Sequence, residues 1–241
     1  MRRVRLMLAL ASALAVGVIG AASAQAAVPG NYSVSVAQGK PFLLQSSGLI
    51  IDKSSVTDDS VISICTTCLH NKRMPFAVTF YGHSYSQIQV SANGNLQFGP
   101  PGSGTGAFTN QSLPTTTFTD PTLAVFWDDL FFNPPDTSHP FREGVYTHRS
   151  GTAPHKKFII SWQGHAFSTE SYLVLAQVVF NQGSQTIVMH YGQPDNQSCC
   201  APSETIGSQF NGFGTHFSQY TFNPPPPGMV RNGTQITLTH H

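Results

Sequence analysis

Charge is what this chain has least of. Lysine, arginine, aspartate and glutamate make up 10% of its 241 residues, against about 25% in an ordinary globular protein. Twelve basic and eleven acidic residues nearly cancel. They form no basic stripe of the kind that tracks a phosphate backbone, so nucleic acid is not an expected partner. Helical periodicity is missing too: beyond the N-terminal leader, no segment repeats apolar residues at i, i+3, i+4 and i+7. No later apolar run approaches about 18 residues, which excludes a helical membrane span from the expectation. Several catalytic and metal signatures are also missing. There is no GxSxG elbow, no HExxH pair and no DxDxDG loop. The ten histidines are scattered, without HxH spacing.

The leader is residues 1–26. Arg2, Arg3 and Arg5 precede an apolar stretch at 6–19, and the small residues Ala22-Ser23-Ala24 and Ala24-Gln25-Ala26 follow as overlapping cleavage signatures. The stretch is too short to span a bilayer comfortably. The pattern predicts export through a cleaved signal peptide, with cleavage after Ala26. Arg2-Arg3 alone does not complete a twin-arginine signal. Loss of the leader leaves nine basic against eleven acidic residues, a net charge of −2.

What the chain has in plenty is short alternating runs separated by Gly, Asn and Pro. Strands are expected near residues 32–36, 61–64, 76–80, 87–91, 95–98, 123–127, 144–148, 157–162, 172–180, 186–191, 204–210, 217–222 and 235–238. Ile88 and Val90 alternate with glutamines, Leu96 and Phe98 do the same, and Asn93-Gly94 lies between. That places a tight hairpin turn with φ > 0 at both central residues. Phe158, Ile160 and Trp162 share a face. The nearly unbroken apolar run at 172–180 reads as a central strand. Short strands at this spacing predict an all-β, antiparallel, jelly-roll-like sandwich, a single domain over 27–241. Residues 99–119 form the longest loop, either mobile or part of a binding rim.

Four cysteines in an exported chain, Cys65, Cys68, Cys199 and Cys200, point to disulfides. Three connectivities are open. A vicinal Cys199–Cys200 bond is strained. A clip between the two pairs closes loops of roughly 130 residues, with a nominal stabilisation of ~4–5 kcal/mol. A redox CxxC needs a helix start beside it, and a four-cysteine zinc site usually has a second CxxC where this chain has CC.

Five segments, read in order, carry a resemblance. They are PFAVTFYG at 75–82, VSANGNLQFG at 90–99, FWDDL at 126–130, GVYTHRSGTAPHKKFIISW at 144–162 and VVFNQGSQTIVMHYG at 178–192. Together they resemble a secreted bacterial β-sandwich domain, found alone or appended to extracellular proteins such as subtilisin-like proteases. The part from Phe80 through Asp128 is also similar to the NIDO domain of nidogen-type proteins. The resemblance is strongest over 75–238. It implies a non-catalytic module for adhesion, assembly or surface display, and carries over no catalytic set. Cys65-Thr66-Thr67-Cys68 stands where members often have Cys-Asp-Asp-Cys.

Trp127-Asp128-Asp129 is the sharpest polar cluster. Asp128 and Asp129 at a strand end are candidate calcium ligands, with Asp120 or Asp136 nearby. A hydrolase would use one carboxyl as acid and another as nucleophile or base. In the purely structural alternative Trp127 plugs the core and the two aspartates accept backbone N–H groups in the following turn. Tyr81, Tyr85, Phe131, Phe132 and Phe141 lie in or beside loops and are the candidate ligand rim, either for an extracellular protein or, as in a carbohydrate-binding module, for a polysaccharide. Phe131 and Phe132 cannot both face one core. The working surface is expected on the loops at 99–119 and 128–141, and no cofactor other than calcium is a candidate.

Overall fold

The protein is described by a computed structural model covering residues 31–52, 59–133, 142–167, 169–192, 203–223 and 230–241. Among these residues the chain is built from strands. In order they are β1 (Tyr32–Ala37), β2 (Leu49–Ile51), β3 (Val61–Cys65), β4 (Val78–Phe80), β5 (His83–Tyr85), β6 (Gln87–Ser91), β7 (Asn95–Gln97) and β8 (Thr122–Trp127). The rest are β9 (Leu130–Phe131), β10 (Gly144–Ser150), β11 (Lys157–Ala166), β12 (Thr169–Asn181), β13 (Thr186–Gly192), β14 (Thr205–Gln209), β15 (Phe217–Phe222) and β16 (Gln235–His240). Among the described residues the one helical piece is a 3-10 turn, His70–Lys72.

Fourteen of the strands form two packed antiparallel sheets, and β4 pairs with β5 in a separate two-stranded ribbon. The larger runs β1-β16-β13-β12-β11-β10-β2, with β9 added against the far end of β11. The smaller runs β15-β14-β8-β7-β6-β3. β12 is central, as its apolar run requires. Within the two sheets, consecutive strands pair in β6–β7–β8, β10–β11–β12–β13 and β14–β15, and the other connections cross between sheets or along them. Phe158, Ile160 and Trp162 from β11 meet Ile88, Val90 and Leu96 from the smaller sheet in one buried core. Two buried polar groups bridge the sheets: Trp162 Nε1 donates to the Ser91 carbonyl (2.8 Å) and Tyr191 Oη to the Val125 carbonyl (2.7 Å). Burial without these bonds would leave each donor unpaired, at a cost of about 1–3 kcal/mol.

The smaller sheet is covered on its outer face as well. Residues 99–119 lie across it, so the long loop is a packed layer. Leu113 and Phe118 from the loop enclose Trp127 and Ala124 from β8 in a second apolar cluster, and Trp127 Nε1 donates to the Ala107 carbonyl (2.8 Å). Trp127 therefore fills this satellite cluster, and Trp162 fills the main core.

Buried glutamines fasten the covering segments. Gln97 accepts from Thr105 N (2.8 Å) and donates to Thr105 O (2.7 Å). Gln209 does the same with Thr115 (2.8 and 2.9 Å). On the larger sheet Gln163 grips Gln45 in this way (2.6 and 3.0 Å). Each carboxamide presents one acceptor and one donor, so it replaces a neighbouring strand's backbone pair.

The β6–β7 hairpin keeps its predicted place but not its predicted turn. Val90 pairs with Leu96, leaving Ala92, Asn93 and Gly94 as a three-residue loop. Only Gly94 has a positive φ, at 74°, which is the left-handed residue that closes such a loop. Asn93 takes ordinary backbone angles because its side chain is committed elsewhere.

Cys65 and Cys68 are bonded to each other (Cα–Cα 5.0 Å). Of the open connectivities, this excludes a clip from this pair to Cys199 and Cys200: both sulfurs are used locally, where a short turn at the end of β3 brings them together. A closed loop this small contributes about 2 kcal/mol in the chain-entropy account. Cys199 and Cys200 lie outside the described residues. The 3-10 turn His70–Lys72 follows the motif in place of the α-helix start that activates a redox thiol.

Candidate functional site

Strand β8 ends at Trp127, and the chain then crosses from the smaller sheet to the larger one through Asp128 and β9. Asn93 fixes this crossing. It is fully buried; its Oδ1 accepts Leu130 N (2.9 Å), and its Nδ2 donates to Asp59 Oδ1 and Gly106 O (both 2.9 Å). One side chain thus joins the hairpin, the covering loop and the crossing.

Past the crossing, Phe131 and Phe132 point to opposite sides, as adjacent strand residues must. Phe132 is buried in the core under Gly164, where any Cβ would overlap its ring. Phe131 is half-buried and stacks on His165 (centroids 5.5 Å, 30°). Phe167 meets it edge-on (6.0 Å, 82°). Phe167 is 58% exposed, and its backbone N donates to the Asp129 carbonyl (2.7 Å). Beneath the rings lies a buried polar base. Glu143 Oε1 bonds His165 Nε2 (3.0 Å), and Glu143 Oε2 accepts Asn133 N (2.7 Å). With the imidazole held, Phe131 has a fixed seat, and Phe167 stands on it as an exposed apolar edge.

A second constellation lies on the other side of the crossing. Asp128 and Glu204 are 3% and 0% exposed. Thr205 pairs with Trp127, so extending that register by one residue sets Glu204 opposite Asp128. Asp128 Oδ1 accepts Ser203 Oγ (3.0 Å) and Asp129 N (2.9 Å). Its Oδ2 and both oxygens of Glu204 are buried without a hydrogen-bond partner. Burial, with the Asp128 carboxyl adding to it, pushes the Glu204 carboxyl up to about 8, so it holds its proton near neutral pH. Burial also raises Asp128, against its bonds from Asp129 and Ser203. Asp128 and Glu204 are thus an enclosed pair, while Asp129, the other carboxyl of the hydrolase alternative, is half-exposed.

The other expected site residues scatter. Tyr81 is not on a rim: with Gly82 it makes a turn of positive φ (48° and 75°) that folds its ring into the core, where its hydroxyl meets Ser208 Oγ (2.9 Å). Phe132 is likewise removed from the rim by burial. Tyr85 is half-buried against Phe98 (5.1 Å). Phe131 is the rim residue that lies in the aromatic patch. Phe141 and Asp136 lie outside the described residues. Asp129 is half-exposed and only Asp128 turns inward. Asp120 is taken up by Ser103 of the covering loop. Among the described residues no group of three or more His, Cys, Asp or Glu is placed to hold a metal ion, and no helix is long and apolar enough to cross a membrane.

Sequence reasoning missed Glu204, Phe167, the Glu143–His165 pair and the role of Asn93. The signal for Glu204 was present, since a lone acid directly before the buried strand Thr205–Gln209 is conspicuous in a chain this poor in charge.

No curated protein matches this chain, and no solved structure does. A family model described as NIDO related matches residues 31–237, which reaches further toward the N-terminus than the segments that first carried the resemblance. That match runs from β1 into the start of β16 and includes the crossing at Asp128, so the chain belongs to the NIDO-related family.

Proposed function

We propose that this NIDO-related domain is an exported, non-catalytic binding or structural module that docks an extracellular protein through the Phe131–Phe167 patch. The signal-like leader at 1–26 supports export. The observation that carries the docking reading is the exposed Phe167 ring standing edge-on upon Phe131, with the Glu143–His165–Asn133 bonds beneath it. A rigid, partly exposed aromatic on a fixed base loses little side-chain entropy on binding and fits the anchor role that aromatics take at protein interfaces.

The perpendicular rings favour a protein over a sugar. A pyranose stacks on a flat aromatic face, and rings at 82° to each other present an edge and a step. Adhesion, assembly or surface display, by a free domain or one appended to a larger protein, would all use such a patch.

A photo-crosslinking amino acid at position 167, with a control at exposed Ser150, tests this against the extracellular protein fraction of the source cells. The expected result is a discrete crosslinked protein from position 167 alone, while soluble polysaccharides fail to retard the domain in affinity electrophoresis. Retardation that Phe167→Ser abolishes would make this a carbohydrate-binding module. Absence of a discrete crosslink from position 167 would overturn the docking reading.

A further inference from the structure

We propose that Asp128 and Glu204, with Ser203 and Asn110 at their edge, form a calcium site at the end of the smaller sheet. This inference is independent of the docking patch. It starts from three carboxyl oxygens, Asp128 Oδ2 and Glu204 Oε1 and Oε2, which are buried without a hydrogen-bond partner. Buried carboxylates in proteins are paired or coordinate metals. Among the described residues no lysine or arginine pairs with either one.

The side chains converge. Along β14, Thr205 faces outward to the covering loop, with its Oγ1 donating to Gln111 O (2.9 Å), and Ile206 faces the core. Alternation therefore turns Glu204 inward, opposite Asp128. Asp128 is also the acid whose charge bears on Glu204. Neutral oxygens lie beside Asp128. Ser203 Oγ bonds Asp128 Oδ1 (3.0 Å) and Asn110 Oδ1 (3.3 Å). Asn110 Nδ2 is tied outward to Thr205 Oγ1 (3.2 Å) and Asn223 Oδ1 (3.1 Å), which leaves its oxygen facing Ser203.

All these donors are hard oxygens, and once an ion displaces the proton the two carboxylates balance its double charge. Calcium takes six to eight such oxygens in adaptable geometry, whereas magnesium demands a near-octahedral shell and keeps several waters. An enclosed, irregular set of carboxylate, amide and hydroxyl oxygens suits calcium. Asp129, the sequence neighbour, is not a ligand in this arrangement, because its backbone serves Asp128 and Phe167. An ion here would clamp the exit of β8 to the entry of β14.

The test is calorimetric titration of the EDTA-stripped protein with calcium chloride, paired with thermal melts. The expected result is one saturable site with Kd in the range of roughly 0.1–1 mM, as in extracellular calcium modules, and a midpoint that rises with calcium. Glu204→Gln should abolish both responses, and Asp128→Asn should weaken binding at least ~10-fold. Glu204→Gln keeps the size and shape of the side chain, so it is expected to fold, and it decides the matter even if Asp128→Asn does not fold. Phe167→Ser should bind calcium normally. No saturable binding by the unmodified protein, an equal response to magnesium, or unchanged binding by Glu204→Gln would each overturn the assignment.

Discussion

Asn93 and Gly94 do at the scale of single residues what the fold needs in order to close. The backbone of Gly94 lies so near β8 that a Cβ would overlap the Phe126 carbonyl, and the carbonyl of Gly94 itself accepts both Val125 N and Phe126 N (3.0 Å each). Its φ of 74° adds a conformation that side chains resist. Gly94→Ala is therefore expected to destabilise the protein by at least ~3 kcal/mol, from clash and strain together. Chemical denaturation of the variant checks this, and a loss below about 1 kcal/mol would show that β8 yields easily. The dipeptide was legible in sequence as a turn. Its turn type was not, because the choice between two-residue and three-residue loops was made by Asn93. That side chain bonds Asp59, Gly106 and Leu130, partners remote in sequence.

At the scale of elements, alternation did most of the prediction. The long strands and the β10–β11 and β12–β13 hairpins all fall where apolar spacing put them. The strands that escaped are β2, β5 and β9, of two or three residues each, too short to show a period. Uncharged polar residues are ordinarily found at the surface, and here many of them are inside. Gln97, Gln163 and Gln209 are buried because each completes the backbone pair of a covering segment. No local pattern marks such a glutamine, since its partner is a loop backbone chosen by the tertiary fold. Gln209→Ala removes both bonds to Thr115 and leaves that buried N–H and C=O unpaired. A loss of about 2–4 kcal/mol is expected, read from a urea melt. Amide exchange at Thr115 should rise well beyond the change in global stability, because the covering loop would open locally. Unaltered exchange there would mean that other contacts hold the loop.

Taken as a whole, the molecule is a sandwich with a third layer. The smaller sheet has its inner face on the larger sheet and its outer face under residues 99–119. A binding loop grafted on a finished scaffold can be shortened with little effect on stability, as loop-closure entropy changes slowly with length. Here the loop supplies Leu113 and Phe118 to the cluster around Trp127, and it supplies Thr105 and Thr115 to the glutamines. Loss of a packed phenylalanine alone costs about 3–5 kcal/mol, and each buried amide left unpaired adds ~1–3 kcal/mol. Together these approach the whole stability of an ordinary domain, about 5–15 kcal/mol. Replacing residues 100–119 by a short Gly/Ser linker is thus expected to abolish cooperative unfolding, monitored by circular dichroism through a thermal scan. A cooperative transition within ~5 °C of the unmodified protein would show instead that the two-sheet sandwich is complete without its cover. The same scan separates the loop from the aromatic patch. Phe167 touches neither the cover nor the core cluster, so Phe167→Ser should melt as the unmodified protein does while losing its partner.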